Sequence, residues 1–211
     1  MIDLYFWPSP NARRVTIMLA ECALPYRVVP VDISAGAQFD PEYEKICPNN
    51  RIPAIQDPDG PSGPLSLFDS GAILLYLAEK TGKFLPADPN QRLHCLQWLF
   101  WQMSGMGPIA GQLSHFTFEA PGDTEYTVER LATEFERLLE VMERPLAHHA
   151  YLAGEELTIA DIATWPWVAA TARGELGVML EDAPAVQDWF DRLTARPGFI
   201  KGRAVGADLV G

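Results

Sequence analysis

Apolar and polar positions alternate at the start of the chain. Ile2, Leu4 and Phe6 are interleaved with Asp3 and Tyr5, a period of two that predicts a strand. Past the loop Trp7-Pro8-Ser9-Pro10-Asn11 the period lengthens, and Val15, Ile17, Met18 and Leu19 predict a helix closing near Ala23. Tyr26 to Val31 is rich in Val and predicts a second strand, so the opening segment reads as a βαβ unit with a right-handed crossover. A polar stretch, Ser34 to Asn50, follows. Ile52 to Gln56 then predicts a short strand entered through Pro53. Asp57-Pro58-Asp59-Gly60, extended to Gly63-Pro64, reads as a turn returning into Leu65 to Phe68, a hairpin with a long loop. From Ser70 to Thr81 the residues Ile73, Leu74, Leu77 and Ala78 lie at helical spacing, with Gly82 as the stop.

From about Asp88 the strand pattern is gone. Gln91 to Gly105, Thr124 to His148, Thr158 to Arg173 and Pro184 to Ala195 all predict helices. Lys83 to Pro89, short and holding two prolines, is the expected linker. The expected organisation is an α/β domain over 1–82, a linker over 83–89 and an all-helical domain over 90–211.

Composition narrows the partners. With 48% hydrophobic residues, six Trp and ten Phe, the chain has ample material for a core, which argues against disorder. A formal net charge of −12 argues against nucleic acid and against an anionic membrane surface, both of which need a basic face. An anionic small molecule remains open where a few cations converge, so Arg13, Arg14, Arg51 and Arg130 are the residues to follow. The three cysteines, Cys22, Cys47 and Cys95, form no C-x-x-C pair and read as free thiols of a reducing cytoplasm. Cys22 and Cys95 are expected to be buried, and Cys47 to be exposable in a loop. No apolar run approaches the roughly 20 residues of a membrane span. No motif calls for a metal.

Three short segments carry chemistry. Ser9-Pro10-Asn11-Ala12 sits where a strand gives way to a helix, and the N–H groups and dipole of a helix N-terminus favour an anion, a thiolate included, although a plain N-cap at Ser9 and a solvated Asn11 are the better account of this segment taken alone. A thioredoxin-type reductase has C-x-x-C at this turn. Here its ends are Ser9 and Ala12, so any thiol must arrive with a ligand. Pro53, at the mouth of a strand, offers the Ile52 backbone to an extended peptide, although an ordinary edge-strand proline explains it equally. Asp69-Ser70, at the start of the next helix, pairs a carboxylate acceptor for an ammonium with a hydroxyl and N–H for a carboxylate, although simple capping accounts for each residue alone. A thiolate site, a backbone edge and an amino-acid clamp in one small domain together describe the parts of γ-Glu-Cys-Gly.

The segments Asn49-Asn50-Arg51-Ile52-Pro53-Ala54-Ile55 and Leu67-Phe68-Asp69-Ser70-Gly71-Ala72-Ile73-Leu74-Leu75-Tyr76-Leu77 resemble the N-domain of the cytosolic glutathione transferases. Leu157-Thr158-Ile159-Ala160-Asp161-Ile162-Ala163 resembles that family's N-capping box with its hydrophobic staple. Trp7-Pro8-Ser9-Pro10-Asn11, Pro48-Asn49-Asn50, Gln97 to Gln102, Pro108, Gln112, His115, Phe116 and Ala163 to Trp167 make it most similar to the bacterial Nu class and the related prion-forming nitrogen regulator of yeast. The resemblance implies a thioredoxin-like N-terminal domain with an all-α C-terminal domain, a cytoplasmic homodimer, and glutathione as cosubstrate with no metal. It implies Ser9 and Asn11 at the glutathione sulfur, and Gln38 and Arg51 toward the glycine carboxylate. The Ile52-Pro53 backbone would meet the cysteinyl unit, and Asp69 with Ser70 the γ-glutamyl end. Arg130 and Tyr126 become candidates for a second glutathione or the partner's site, and His115 is expected near the mouth of the cleft. The activity implied is glutathione-dependent reduction of a small disulfide. Conjugation of glutathione to an electrophile stays open as an alternative, as does a non-catalytic binding module that kept the fold.

Overall fold

The structure, a computed structural model, describes residues 1–178, 180 and 182–209. The chain divides into two units, one of Met1–Lys83 together with the segment from Arg196 onward, the other Phe84–Ala195.

In the first unit β1 (Ile2–Phe6), α1 (Pro10–Cys22) and β2 (Tyr26–Pro30) follow one another, and β1 and β2 are parallel with Ile2 opposite Tyr26 and Phe6 opposite Pro30. A 3-10 turn at Ala37–Phe39 and the short α2 (Pro41–Glu44) occupy the polar stretch. Then come β3 (Ala54–Gly60), β4 (Gly63–Phe68) and α3 (Ser70–Thr81). The sheet order is β2-β1-β3-β4, with β3 antiparallel to both neighbours. Leu4, Phe6, Val15, Ile17, Leu19, Ile55, Ile73 and Leu77 are fully buried, so the apolar periods of strand and helix meet in one core. The α/β expectation for this half holds, and α3 spans the residues its periodicity predicts. Its stop is physical: Gly82 takes φ 66° and its N–H returns to the Ala78 carbonyl at 2.8 Å.

The hairpin differs from expectation. Asp57 to Gly60 is strand rather than turn, and β4 starts at Gly63. Tertiary contacts override the local turn residues. Asp57 Oδ2 accepts from the Tyr76 hydroxyl at 2.7 Å and lies 3.1 Å from Lys80 Nζ, both on α3, while a register shift between Asp57 and Gly60 absorbs Pro58.

The second unit is helical in its described elements: α4 (Pro89–Trp101), a π-turn at Gln102–Met106, α5 (Gly107–Phe118), α6 (Glu125–Leu146), α7 (Ile159–Ala172) and α8 (Pro184–Thr194). α5 was not among the expected helices, of which one closes at Gly105 and the next opens at Thr124. Pro108 falls in the first turn, where a missing N–H costs nothing, and the π-turn carries the chain across the glycines. α6 stops at Leu146, short of the expected His148, and His149 Nδ1 lies 2.7 Å from Glu155 Oε1. The capping box at Thr158 and Asp161 is present as expected. Trp98 and Trp101 meet edge to face at 5.1 Å, and Trp165 and Trp189 are buried.

The last helix, α9 (Pro197–Arg203), belongs to the first unit rather than to a helical domain running through residue 211. It lies on α1. Glu21 holds Arg196 through two bonds of 2.7 and 3.1 Å, and Arg13 Nη1 donates to the Arg203 carbonyl. A Cβ at Gly202 would stand 2.5 Å from Ile17 Cα, so only glycine permits the approach. Among the described residues no helix is long and apolar enough to cross a membrane, and no group of three or more His, Cys, Asp or Glu is placed to hold a metal ion.

Candidate functional site

Three loops of the first unit present the residues singled out in the sequence. At the first, β1 ends at Phe6 and Ser9 becomes the N-cap of α1 in extended conformation, φ −158° and ψ 159°. Its Oγ accepts from the Ala12 N–H at 3.2 Å, leaving its own hydrogen to point elsewhere. Pro10 takes the first helical position and Asn11, exposed, the next. The turn carries no thiol. All three cysteines are free and buried, Cys47 included, which sits at 1% exposure among Val31, Tyr43 and Ala54 rather than in an open loop. Burial pushes the Cys22 and Cys95 thiols up, further from the thiolate.

The second loop leads into β3. The Ile52-Pro53 bond is cis, a geometry the sequence pattern left open. Ladder pairing begins at Ala54, so Ile52 lies outside it. The loop is held from below. Buried Tyr43 of α2 donates its hydroxyl to the Arg51 carbonyl at 2.6 Å, and Asn50, at φ 50°, donates its side-chain amide to the Gln38 carbonyl at 2.9 Å. Burial, then Cys47, pushes the Tyr43 phenol above its usual range, so it stays a donor. Gln38 and Arg51 are thereby tied to one scaffold. Gln38 Oε1 is buried with no hydrogen-bond partner among the described residues, whereas Arg51 is exposed.

The third loop is the start of α3. Asp69 is the N-cap, at φ 71° and ψ 119°, a region that costs an L-residue about 1–3 kcal/mol. Its Oδ1 accepts from Gly71 N at 2.9 Å and Ala72 N at 3.2 Å, and its other oxygen completes an exposed carboxylate. Ser70 is the first helical residue and is 5% exposed. Beneath it lies Arg14, 2% exposed, with Nη1 2.9 Å from Ser70 Oγ. Burial brings the guanidinium down to about 9, against the pull of Asp69, so it remains cationic at neutral pH. The sequence shows Arg14 as one cation of several. Its place on the apolar face of α1, beside Val15, Ile17 and Met18, was the available signal of burial.

Ser9, Asn11, Gln38, Arg51, Ile52, Pro53, Asp69 and Ser70 thus all lie in the first unit. Arg130 and Tyr126 lie on the first turns of α6 in the second, both exposed. His115, on α5, is half exposed and 3.2 Å from Glu119.

The segment 8–80, which holds all three loops, matches the model of the glutathione S-transferase N-terminal domain, and 107–197 matches that of its C-terminal domain. The chain belongs to the glutathione S-transferase family. It is 49% identical over 199 residues to the disulfide-bond oxidoreductase YfcG of Escherichia coli K12, covering 93% of this chain and 92% of that one. Among solved structures of the family, a glutathione transferase from Pseudomonas fluorescens with two glutathione bound is 40% identical, with a TM-score of 0.90 over 96% of this chain and 92% of that chain. Another from Pseudomonas putida, with one glutathione disulfide bound per subunit, is also 40% identical, with a TM-score of 0.91 over 97% and 91%.

Proposed function

We propose that this chain is a glutathione-dependent disulfide-bond oxidoreductase. The observation that carries the reading is the α1 turn. It joins a strand to a helix N-terminus capped by Ser9, yet it ends in Ser9 and Ala12, with every cysteine buried elsewhere. The nucleophilic thiol is therefore the ligand's. Glutathione is held by its γ-glutamyl end on Asp69, which takes the ammonium, and on the Ser70 hydroxyl and N–H, which take the α-carboxylate. The Ile52 backbone pairs with the cysteinyl unit, and Gln38 and Arg51 face the glycine carboxylate. The sulfur then lies at the α1 N-terminus, where the Ser9 hydroxyl, the Asn11 amide and the helix dipole favour the thiolate.

In the reaction, the bound thiolate attacks one sulfur of a small disulfide. A new S–S bond joins glutathione to that sulfur, the old one breaks, and the other half leaves as thiolate and takes a proton from solvent. A second glutathione thiolate attacks the mixed disulfide at the glutathione sulfur, releasing the remaining thiol and glutathione disulfide. The protein supplies binding, deprotonation and alignment, the terms on which exchange rates depend. The relative named a disulfide-bond oxidoreductase and the structural neighbour holding two glutathione molecules support this reading. Arg130 and Tyr126 are the candidates for the second glutathione.

Two further features follow. Leu93 and Phe100, seven residues apart on one side of α4, are 66% and 61% exposed, an apolar stripe suited to a second copy in a homodimer, which sedimentation velocity tests. Free, unpaired thiols fit a reducing cytoplasm. For the activity itself the decisive variant is Asn11→Ala. Glutathione-dependent reduction of 2-hydroxyethyl disulfide should drop by well over about tenfold, the loss expected for one donor to a developing or bound anion. Retained activity would remove Asn11 from the mechanism.

A further inference from the structure

We infer that Arg14 is a positioning residue of the glutathione site, acting through Ser70: its guanidinium fixes the serine oxygen as an acceptor and so turns the hydroxyl hydrogen toward the ligand's α-carboxylate. The inference rests on the reading of Asp69 and Ser70 as the γ-glutamyl clamp.

The contact itself sets the direction of the bond. A guanidinium has donors only, so at 2.9 Å from Nη1 the Ser70 Oγ must accept. Its single hydrogen then points away from Arg14. A serine at the first position of a helix otherwise has a local alternative, bonding back onto neighbouring backbone groups, and would lose its aim. Ser70 is 5% exposed, so this aim is set inside the protein rather than averaged by water.

Location strengthens the argument. Arg14 leaves α1 one turn after Ser9 and Asn11, and reaches the N-terminus of α3. One side chain therefore braces the helix proposed to hold the sulfur against the helix proposed to hold the γ-glutamyl group. Arginine is almost never fully buried without a partner, and Asp69 is the charge that favours its cation here. If Arg14 only filled space, a methionine would serve as well, because a buried ionic group replaced by an apolar one of similar volume is often neutral for stability.

The test uses glutathione-dependent reduction of 2-hydroxyethyl disulfide by the full chain. Arg14→Met should raise KM for glutathione by about tenfold or more, as for the loss of a charge-assisted bond, with kcat at saturating glutathione changed by less than about twofold. Arg14→Lys, which restores a donor and a charge without the fork, should show only about a threefold rise. Ser70→Ala should raise KM on its own. In that background neither Arg14 variant should add more than about twofold, since both act through one group. Additive effects of Arg14 and Ser70 variants, or an unchanged KM in Arg14→Met, would overturn the role of Arg14 and leave the clamp standing. An unchanged KM in Ser70→Ala would overturn the clamp, and this inference with it. Should Arg14→Met not fold, the coupling of Arg14→Lys with Ser70→Ala decides by the same criterion.

Discussion

The N-terminus of α3 and the N-terminus of α7 are built from the same small parts, an aspartate and a hydroxyl residue at the start of a helix. At α7 the parts are closed on themselves. Asp161 is fully buried, and its two oxygens receive the Leu152 N–H at 2.9 Å, the Trp189 indole N–H at 2.9 Å, and the Thr158 N–H and hydroxyl at 3.0 Å. At α3 the parts are open. Asp69 caps with one oxygen, stays exposed and holds a left-handed backbone, while Ser70 is oriented from below by Arg14. Both places pair an aspartate with a hydroxyl residue. What separates a cap that holds a fold from one suited to hold a ligand is whether the chain itself satisfies every donor and acceptor.

The largest effect is expected at the closed end. Asp161→Ala leaves the Leu152, Thr158 and Trp189 N–H groups buried without their acceptor, which should lower stability by about 3–5 kcal/mol in urea unfolding. A loss under about 1 kcal/mol would show that the cap is not what holds α7 to its neighbours.

At the open end the signs reverse. Asp69→Asn keeps a good cap and tolerates a positive φ but removes the charge that favours the buried Arg14 cation, so the melting temperature should fall by only about 2–4 °C, far less than for Asp161→Ala. Glutathione KM should nevertheless rise about tenfold, because the carboxylate proposed to pair with the ammonium is gone. A fall in stability with KM unchanged would make Asp69 a cap and nothing more.

The smallest effect belongs to a third aspartate, Asp57, between these extremes. Burial pushes its carboxyl up, but the Tyr76 hydroxyl, the Asp59 amide and Lys80 outweigh that, and it sits below the usual value. A carboxyl lowered in the fold adds stability that is complete above the ordinary Asp pKa of about 3.9 and is lost as the pH falls through the folded value. Urea midpoints of the wild type should therefore fall below about pH 4, and Asp57→Asn should flatten that fall while lowering the midpoint at pH 7. Parallel pH profiles for the two proteins would show that Asp57 contributes none of the acid dependence.

The same contrast explains how far the sequence could be read. α3 was legible because its apolar spacing, its cap and Gly82 all agree. The capping box at Thr158 and Asp161 was legible for the same reason. Where local signals conflict with distant ones, the reading failed. Asp57 to Gly60 has turn residues, but Tyr76 and Lys80 hold Asp57 in the sheet. Gly105 and Gly107 look like the end of a helix, but a π-turn passes through them. α9 is seven residues long and has no amphipathic run to announce it, and it exists by resting on α1 at Ile17.

By itself, the sequence determined the two-part α/β and α organisation, the absence of a thiol at the α1 turn, and the Asp69-Ser70 pair. These are matters of residue identity at fixed spacing along one element, where the period and the cap act over a few residues. Tertiary structure alone decided that Ile52-Pro53 is cis, that Cys47 is buried, that the last helix returns to the first unit, and that Arg14 lies under Ser70. Each of those joins groups far apart in the chain, Arg14 and Ser70 by 56 positions. Their energies come from burial and pairing that exist only once both segments have folded together.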